Sequence, residues 1–415
     1  MTTTPPLKQL AKLALTLTIV TGCASTPSKP TTDCQCPAAK QEGSAGQVAE
    51  PKAQPLFARS DFNQLPGWTK ANHTAYLEAF ASQCSANGNA LAKRKGTPTG
   101  LLEACRKARQ NLAGNALLPA QIWMEANFEV WQFQQEDGKK EGLLTGYYEP
   151  MLQGSRKPQG NYNVPLYGVP ADLITVKLDE VYPELKGKRL RGRLQGDSLV
   201  PFFNRAEWER LGPDREKPIV WVNDKLDAFL LQVQGSGRVK LTDGTTIRLS
   251  YADQNGHPYK SIGKVLVDRG ELTAAQATIP GIRNWVKANP NKLDALLNEN
   301  PSVVFFKENA VLKPEDGPVG ALGVPLTGQL SLAIDRQRVP YGSMIWIESS
   351  DPLTQKTIEQ GTLAQDTGGA IRGRIRADYF WGTGEEAGQA AGLTRQPLKM
   401  WLIWPKGVAL PTEGS

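Results

Sequence analysis

Histidine and cysteine are both scarce in this sequence. His73 and His257 are the only histidines among 415 residues, and none of the five cysteines belongs to a C-x-x-C pair or a His/Cys cluster. A structural zinc ion needs a set of such ligands, and a Ser–His–Asp triad needs a histidine beside its serine. The sequence therefore gives little support to either kind of site.

Long apolar runs are lacking too. The run LALTLTIV at residues 13–20 is too short to span a bilayer. Lys8 and Lys12 precede this run and small residues follow it, which is the layout of a secretory signal. We therefore predict a signal peptide over residues 1–22.

Cys23 follows that signal directly in the sequence VTGC, which resembles the lipobox of bacterial lipoproteins. Cleavage at a lipobox leaves the cysteine as a lipid-modified N-terminus. Because Ala24 rather than aspartate comes next, the resemblance favours the periplasmic face of the outer membrane. Residues 23–56 are rich in Pro, Thr, Ser, Ala and Gly without periodicity, which predicts a flexible tether. The alternative is an ordinary signal with an incidental cysteine.

Charge is modest and evenly spread. Loss of Lys8 and Lys12 with the signal would lower the formal charge from +7 to +5. Such a basic excess suits an anionic cell-wall polymer or a lipid surface, but the Lys and Arg residues are dispersed rather than clustered. Nucleic acid is therefore not expected as a partner.

The predicted elements change character along the chain. Helix-like apolar spacing extends to about Gln135, and short β-branched and aromatic runs separated by turn residues begin at Leu143. Helices are expected to return at RAEWERL, from about Arg205, at SIGKVLVDRGEL and at TIPGIRNWVKANPNKLDALLNEN. Prolines at Pro150 and Pro301 suggest one insert between them.

Cys84 and Cys105 lie in two segments with helical spacing, TAYLEAFASQC and GLLEACRKARQNL. In an oxidising periplasm they could pair across a helical hairpin. Two buried thiols are the alternative, and the sequence leaves both open.

Four stretches combine strand-like runs with glycine and with amide or hydroxyl groups that can bond sugar hydroxyls. They are TGYYEP (Thr145–Pro150), LQVQGSGRV (Leu231–Val239), YADQNGHPYKSIGK (Tyr251–Lys264) and LAQDTGGAIRGRIRADYFWGTG (Leu363–Gly384). Aromatic side chains such as Tyr147, Tyr148 and Trp381 offer flat faces to pyranose rings. The alternative is a set of ordinary turns with tyrosines packed in a core.

The last stretch contains Asp366 and Asp378, twelve positions apart. One extended strand would separate them by about 40 Å, whereas a glycosidase pair needs carboxyl groups about 5 to 9.5 Å apart. Only a fold-back at the glycines could bring them together, so the spacing does not establish a pair. Asp366-Thr367-Gly368 also matches the triplet of aspartic proteases, but a second D-[ST]-G triplet is absent, so a protease is not expected.

Alternation predicts the orientation of Asp378. Ile375, Ala377 and Tyr379 share one face, and Arg374, Arg376, Asp378 and Phe380 share the other. Asp378 is therefore expected to point into solvent or a groove. The arginines would lower its pKa unless burial or a bound substrate offsets them. A solvated Asp–Arg pair is the plain alternative.

The chain closely resembles the family of membrane-bound lytic murein transglycosylase A, with its 3D domain, in six motifs that occur in this order: TGYYEP, LQVQGSGRV, YADQNGHPYKSIGK, NPSVVFF, GALGVPLT and AQDTGGAIRGRIRADYFWGTGEEAGQAAG. The resemblance covers about Phe57 to the C-terminus. It implies a mainly β fold with flanking helices, in which a double-psi β-barrel domain carries an inserted smaller β-barrel domain. The first domain would comprise residues 57–148 and 301–410, and the insert residues 149–300, with a glycan strand bound in the groove between them.

The resemblance also implies the reaction. An enzyme of this kind cleaves the β-1,4 bond between N-acetylmuramic acid and N-acetylglucosamine in peptidoglycan without water. Asp378 would be the sole catalytic residue, first as general acid and then as base for the muramoyl C6 hydroxyl, which gives a 1,6-anhydro product. No metal or cofactor is implied.

Further residues are implied to line the groove: Asp366, Thr145, Gly146, Tyr147, Gln234, Ser236, and the backbone of Gly368, Gly369, Ala370, Ile371 and Arg372. The expected partners are peptidoglycan strands, the outer membrane through the lipid on Cys23, and complexes of cell-wall synthesis or division. Two alternatives stay open, a non-catalytic peptidoglycan-binding lipoprotein and a hydrolysing muramidase with a second carboxylate near Asp378.

The lipid anchor can be tested directly. Cys23→Ala should move the protein, still active, from the membrane pellet to the soluble periplasmic fraction, because acyl chains supply the membrane affinity. Cell fractionation and immunoblotting measure the distribution. Cys34→Ala, in the tether, is the matched control and should stay in the pellet. Retention of the Cys23→Ala variant in the pellet would contradict the anchor.

Overall fold

The computed structural model describes residues 54–85, 89–114, 118–185, 188–309 and 316–412. The predicted signal, Cys23 and nearly all of the tether lie outside the described residues. Within those ranges, the structure contains no helix with the length and apolarity to cross a bilayer.

Ten α-helices and seventeen strands make up the described part of the chain. The helices are α1 (His73–Ser82), α2 (Ala90–Lys93), α3 (Thr99–Ala113), α4 (Ala120–Asn127), α5 (Arg205–Leu211), α6 (Lys225–Gln234), α7 (Ile262–Asp268), α8 (Ile279–Ala288), α9 (Leu293–Leu297) and α10 (Glu385–Leu393). The strands are β1 (Phe57–Ser60), β2 (Phe128–Phe133), β3 (Gly142–Glu149), β4 (Met151–Ser155), β5 (Val164–Tyr167), β6 (Ile174–Val176), β7 (Leu190–Gln195), β8 (Ser198–Pro201), β9 (Pro218–Val222), β10 (Ser236–Leu241), β11 (Thr246–Gln254), β12 (Val304–Glu308), β13 (Ser331–Ile334), β14 (Met344–Ser350), β15 (Thr357–Asp366), β16 (Arg376–Thr383) and β17 (Arg395–Pro405).

The strands form three sheets. The first has the order β1-β2-β17-β14-β15-β13-β16-β3, and an additional pairing joins β3 to β17. Six of its strands are thus linked in a continuous circuit of backbone pairing. The second sheet has the order β12-β11-β10-β4-β9-β5, and the third is β6-β7-β8. The fold is therefore mainly β with helices, as predicted.

The main hydrophobic core lies between the first sheet and the N-terminal helices. Trp346 and Trp404 from the sheet and Phe80 from α1 are fully buried there. A separate core lies between the second sheet and α6, around Val220, Leu231 and Val239. The second sheet thus has a core of its own, distinct from that of the first sheet.

Helices are confirmed in the predicted segments RAEWERL (α5), SIGKVLVDRGEL (α7) and TIPGIRNWVKANPNKLDALLNEN, the last of which the structure divides into α8 and α9. Two other expectations are wrong. The region before Gln135 is not wholly helical, because β1 and β2 lie within it and pair with each other. The residues Leu231–Gln234 are helical rather than strand-like. Asp224 caps the start of α6 by accepting a hydrogen bond from Asp227 N (2.7 Å), and Gly235, with φ 80°, ends it.

The chain crosses from the first sheet to the second at Glu149. Its carboxylate is fully buried between the Nε atoms of Arg238 (2.8 Å) and Arg248 (2.9 Å), both from the second sheet. Burial raises the pKa of Glu149, and the two arginines act in the opposite direction. The same arginines donate to the carbonyl of Asp316. Asp316 is the first described residue after the range that contains β12. One ion-pair cluster therefore holds both crossings.

β12 belongs to the second sheet. It pairs with β11 from Leu249↔Glu308 to Gln254↔Val304. The sequence analysis placed the end of the insert at residue 300, before this strand. The pairing with β11 therefore assigns Val304–Glu308 to the second sheet, although Pro301 suggested that the insert ends before this strand.

Cys84 and Cys105 form a disulfide with a Cα–Cα distance of 6.1 Å. It links the end of α1 to α3, and both residues are buried. Of the two alternatives left open by the sequence, the structure contains the disulfide.

The disulfide should contribute measurably to stability. It closes a loop with a sequence separation of 21 residues, so the double variant Cys84→Ala/Cys105→Ala should lose about 3 kcal/mol of unfolding free energy through the gain in freedom of the unfolded chain. Urea unfolding measures the difference. The native protein under reducing conditions should unfold at nearly the same urea concentration as the variant. Equal midpoints for the oxidised native protein and the variant would contradict this role.

Candidate active site

Both aspartates lie in one row of paired residues across the first sheet. Asp366 on β15 pairs with Ala333 on β13, Ala333 pairs with Asp378 on β16, and Asp378 pairs with Thr145 on β3. Directly paired residues point to the same face of a sheet. Two strand spacings separate the aspartate backbones, about 10 Å. The fold-back required by the sequence analysis is thus present, and the small residue Ala333 lies between the two aspartates in this row.

A β-bulge sets the orientation of Asp366. The register between β13 and β15 shifts after Leu332↔Ala364, so that Gln365 has no strand partner and Ala333 pairs with Asp366. Bulges re-aim the side chains that follow them. The extra residue is held in place, because Ser331 Oγ donates to Gln365 Oε1 (2.6 Å) and Gln365 Nε2 donates to Gln83 (3.2 Å).

Asp378 is half-buried and bonded to its strand neighbour. Thr145 Oγ1 donates to Asp378 Oδ1 at 2.6 Å. Burial raises the pKa of Asp378 from 3.8 to about 6, while the Thr145 hydrogen bond and Arg376 lower it and Asp366 raises it further. The predicted effect of a neighbouring arginine is therefore present, but burial outweighs it. A carboxyl group with this pKa can release and recover a proton near neutral pH.

Asp366 has different surroundings. Tyr147 Oη donates to Asp366 Oδ2 (3.0 Å) and Ala321 N donates to Asp366 Oδ1 (2.9 Å). Burial raises the pKa of Asp366, and these hydrogen bonds lower it. The pKa of Tyr147 is well above its ordinary value, through burial and the two aspartates, so Tyr147 remains a hydrogen-bond donor. Both oxygens of Asp366 are thus engaged with the protein.

Thr145 and Tyr147 lie two residues apart on β3 and therefore on one face, each bonded to one of the aspartates. Gly146 lies between them. A Cβ atom there would be 2.6 Å from Trp381 Nε1 and 2.7 Å from Thr394 Oγ1, which are themselves hydrogen-bonded (2.8 Å). The contacts thus give Gly146 a packing role. Trp381, only 8% exposed, is packed in the core rather than open to a sugar ring.

The loop from Gly368 to Arg372 folds back on itself. Ile371 N donates to Gly368 O (3.1 Å), and Arg372 Nη1 donates to the carbonyls of Ile371 (2.7 Å) and Gly368 (3.1 Å). Gly369, Ala370 and Arg372 are exposed, whereas Ile371 is buried in a small cluster with Tyr147. The exposed backbone of this loop, rather than the Ile371 side chain, is thus accessible.

Gln234 and Ser236 lie where α6 meets β10. Gln234 Oε1 accepts a hydrogen bond from Tyr148 N (3.1 Å), which ties α6 to β3 beside the Thr145 row. Ser236 is half-exposed and pairs with Ser250 on β11. The structure therefore brings the second sheet to the strand that carries Thr145 and Tyr147.

Three residues that contribute to the site were not identified from the sequence. Ala333 separates the aspartates, Ala321 donates its backbone N–H to Asp366, and buried Asp335 accepts from Gly373 N (3.0 Å) and so holds the glycine loop. Ala333 and Ala321 have no signal of their own in the sequence, because pairing and backbone geometry give them their roles. Among the described residues, no group of three or more His, Cys, Asp or Glu side chains is arranged to hold a metal ion.

Comparisons with known proteins agree with this architecture. The model of the MltA specific insert domain matches residues 143–307, and the model of the 3D domain matches residues 330–404. Membrane-bound lytic murein transglycosylase A of Escherichia coli (strain K12) is 32% identical over 283 residues, which cover 66% of this chain and 69% of that protein. The chain belongs to the membrane-bound lytic murein transglycosylase A family. The resemblance stated from the motifs is thereby confirmed.

Solved MltA structures extend the similarity over most of the chain. MltA from Neisseria gonorrhoeae matches with a TM-score of 0.69 and 30% identity, covering 88% of this chain and 96% of that one. E. coli MltA with bound chitohexaose matches with a TM-score of 0.64 and 26% identity, covering 87% and 98%. The fold of this chain is therefore that of MltA lytic transglycosylases.

The raised pKa of Asp378 predicts a pH-dependent stability. Since the folded-state pKa (about 6) exceeds the ordinary value of 3.8, the unfolded state ionises first, and stability falls as pH rises between these values, by up to about 3 kcal/mol. Asp378→Asn lacks this loss, so its stability relative to the native protein should increase from pH about 4 to pH about 8. Urea unfolding at both pH values measures the change. Asp179→Asn, at an exposed position, is the control, and an equal pH dependence for Asp378→Asn and the native protein would contradict the raised pKa.

Proposed function

We propose that this chain is a peptidoglycan lytic transglycosylase in which Asp378 is the only acid–base group. The observation that carries the proposal is the half-buried Asp378 carboxyl with a pKa of about 6, bonded to Thr145. Protonated Asp378 donates its proton to the glycosidic oxygen between N-acetylmuramic acid and N-acetylglucosamine, and the C1–O bond breaks. The resulting carboxylate then takes the proton of the muramoyl C6 hydroxyl as its oxygen bonds to C1. The product carries a 1,6-anhydro ring, and no water is consumed.

One carboxyl group suffices because the nucleophile is part of the substrate. An intramolecular hydroxyl has a high effective concentration, so positioning supplies much of the rate. Thr145 fixes the orientation of Asp378 and stabilises its ionised form, which the second step needs. Asp366 is assigned a supporting role, since it holds Tyr147 and the Ala321 backbone beside the reacting group.

The proximity of Asp366 also favours a second candidate, a hydrolysing muramidase. An inverting enzyme places its carboxyl groups about 6.5 to 9.5 Å apart, and side chains extending from backbones about 10 Å apart could reach that range. Against this candidate, both oxygens of Asp366 already accept hydrogen bonds from the protein. A base that activates water would have to exchange one of these.

The fold supports a groove for the glycan. We assign the six-strand circuit of the first sheet to the double-psi β-barrel, and the second sheet with its helices to the inserted barrel. The groove would run past Thr145 and Tyr147 on one side and past Gln234 and Ser236 on the other. A relative in this family, E. coli MltA, has been solved with chitohexaose, a β-1,4-linked sugar chain of the same class as the proposed substrate. A lipid on Cys23 would hold the enzyme at the outer membrane.

Product analysis tests the single-aspartate mechanism. Asp378→Asn and Asp378→Ala should form no 1,6-anhydro product from purified peptidoglycan but should still bind glycan, because the groove is built from other residues. Asp366→Asn should retain more activity, and Asp179→Asn should match the native enzyme. Mass spectrometry of released products distinguishes the anhydro ring from a free reducing end.

Three results would overturn the proposal. The first is near-native turnover by Asp378→Asn. The second is a native product with a free reducing end, which would establish the muramidase instead. The third is glycan binding without any product from the native protein, which would leave the non-catalytic peptidoglycan-binding lipoprotein.

A further inference from the structure

A cavity of about 590 Å³ opens in the inserted part of the chain, away from the aspartates. It lies between β5, α5, β9, α6 and α9, and neither Asp378 nor any residue predicted to line the glycan groove contributes to its wall. Its volume is in the range of about 300 to 1,000 Å³ that is typical of small-ligand sites. Tyr167, Trp208 and Trp221 supply an aromatic lining.

Arg205 gives this cavity a buried positive charge. The residue is 3% exposed and lines the cavity. Its Nε donates to Asn300 O (3.0 Å), and its Nη2 donates to Gln232 Oε1 (2.8 Å) and Ser302 O (2.5 Å). These partners are neutral, and they hold the guanidinium rigidly without neutralising it.

The remaining nitrogen of Arg205, Nη1, forms a long ion pair with Glu209 Oε1 at 3.9 Å, beyond hydrogen-bond distance. Glu209 is shared with Lys225 (3.2 Å), which also pairs with Asp294 (2.8 Å). Burial lowers the pKa of Arg205 to about 10, with Glu209 acting in the opposite direction, as expected for a buried cation whose counter-charge is incomplete. A carboxylate is the natural bidentate partner of such a guanidinium.

Two neutral groups of the same wall are also unpaired. Trp208 is 4% exposed, and its indole Nε1 has no hydrogen-bond partner among the described residues; the same holds for the buried Oδ1 of Asn298. Both residues line the cavity. Trp208 follows Arg205 by three positions on α5, so the two side chains lie on one face of that helix. The wall thus contains a cation whose ion pair is long, while Trp208 Nε1 and Asn298 Oδ1 lie below its surface.

We propose that this cavity binds the carboxylate-bearing end of a short peptide. Arg205 receives the carboxylate, and the aromatic side chains of Tyr167, Trp208 and Trp221 pack against the peptide. The apolar lining, which includes Leu166 and Val303, suits small aliphatic side chains such as the methyl group of alanine. Peptidoglycan carries short peptides with free carboxylates, and this choice of source rests on the proposed function. The cavity would then bind the peptide of the substrate, while the groove binds its glycan.

The charge requirement is tested on the unmodified protein. N-acetyl-D-alanyl-D-alanine should bind with a Kd of about 1 mM or tighter, and its C-terminal amide about tenfold more weakly or worse, because amidation removes the carboxylate. Calorimetry measures both affinities, and tryptophan fluorescence reports occupancy, since Trp208 and Trp221 line the cavity. Absence of binding by the acid, or equal binding of acid and amide, would overturn the proposal.

The location is tested by filling the cavity. Ala206→Phe adds volume at a lining position and leaves the hydrogen bonds of Arg205 in place, so it should weaken binding of the acid about tenfold or more. Ala274→Phe, at an exposed position outside the cavity, is the matched control. Native affinity in a folded Ala206→Phe variant would overturn the assignment to this cavity. If that variant fails to fold, the comparison of acid and amide decides.

The peptide site and the transglycosylase activity can be tested separately. Asp378→Asn should bind the acid with native affinity, since Asp378 does not contribute to the cavity. A native protein that binds the acid but forms no anhydro product would reject the transglycosylase alone. A protein that forms the product but does not bind the acid would reject the peptide site alone.

Discussion

The site depends on the short strand β13, which lies between β15, the strand that ends at Asp366, and β16, the strand that carries Asp378. β13 runs parallel to β15 and antiparallel to β16, and its residue Ala333 pairs with both Asp366 and Asp378. A direct hairpin between β15 and β16 would have put the carboxyl groups on adjacent strands, where two partly buried acids would repel each other strongly. Separation by one strand and one small side chain leaves Asp378 able to ionise and gives each acid its own hydrogen-bond donor on β3.

Burial then decides what Asp378 can do. The sequence around it is rich in arginine, which alone would hold the carboxyl ionised. Arg374 is instead turned toward the backbone carbonyl of Gln54 (2.7 Å), and Arg376 toward that of Ala377 (2.5 Å). Desolvation becomes the largest influence on Asp378, and its pKa moves up rather than down. The arginine-rich sequence therefore suggests a lower pKa for Asp378 than its buried environment produces.

The same difference between local sequence and tertiary environment explains how much of the structure could be predicted from the sequence. Alternation correctly put Ile375, Ala377 and Tyr379 on a buried face, because that pattern is local and covers several residues. Phe380, on the opposite face with Asp378, is buried too, since a second cluster around Tyr147 covers that face. The bulge at Gln365, the pairing of Ala333 and the packing reason for Gly146 depend on strands far apart in sequence. No local pattern encodes them, whereas the ordered motifs identified the family and its mainly β fold.

The pairing of β3 with β16 and β17 has a consequence for how the chain folds. Thr145 and Asp378 are 233 residues apart in sequence, so the first sheet and its site cannot be completed until nearly the whole chain is available. Strands β4, β5 and β9 to β12 pair only with one another in the second sheet, and β6 to β8 form the third, over much shorter loops. Long loops form slowly because their closure reduces chain entropy before any contact compensates. Because Arg238 and Arg248 of the second sheet bind both Glu149 and the carbonyl of Asp316, the second sheet fixes the two points where the segments of the first sheet meet it.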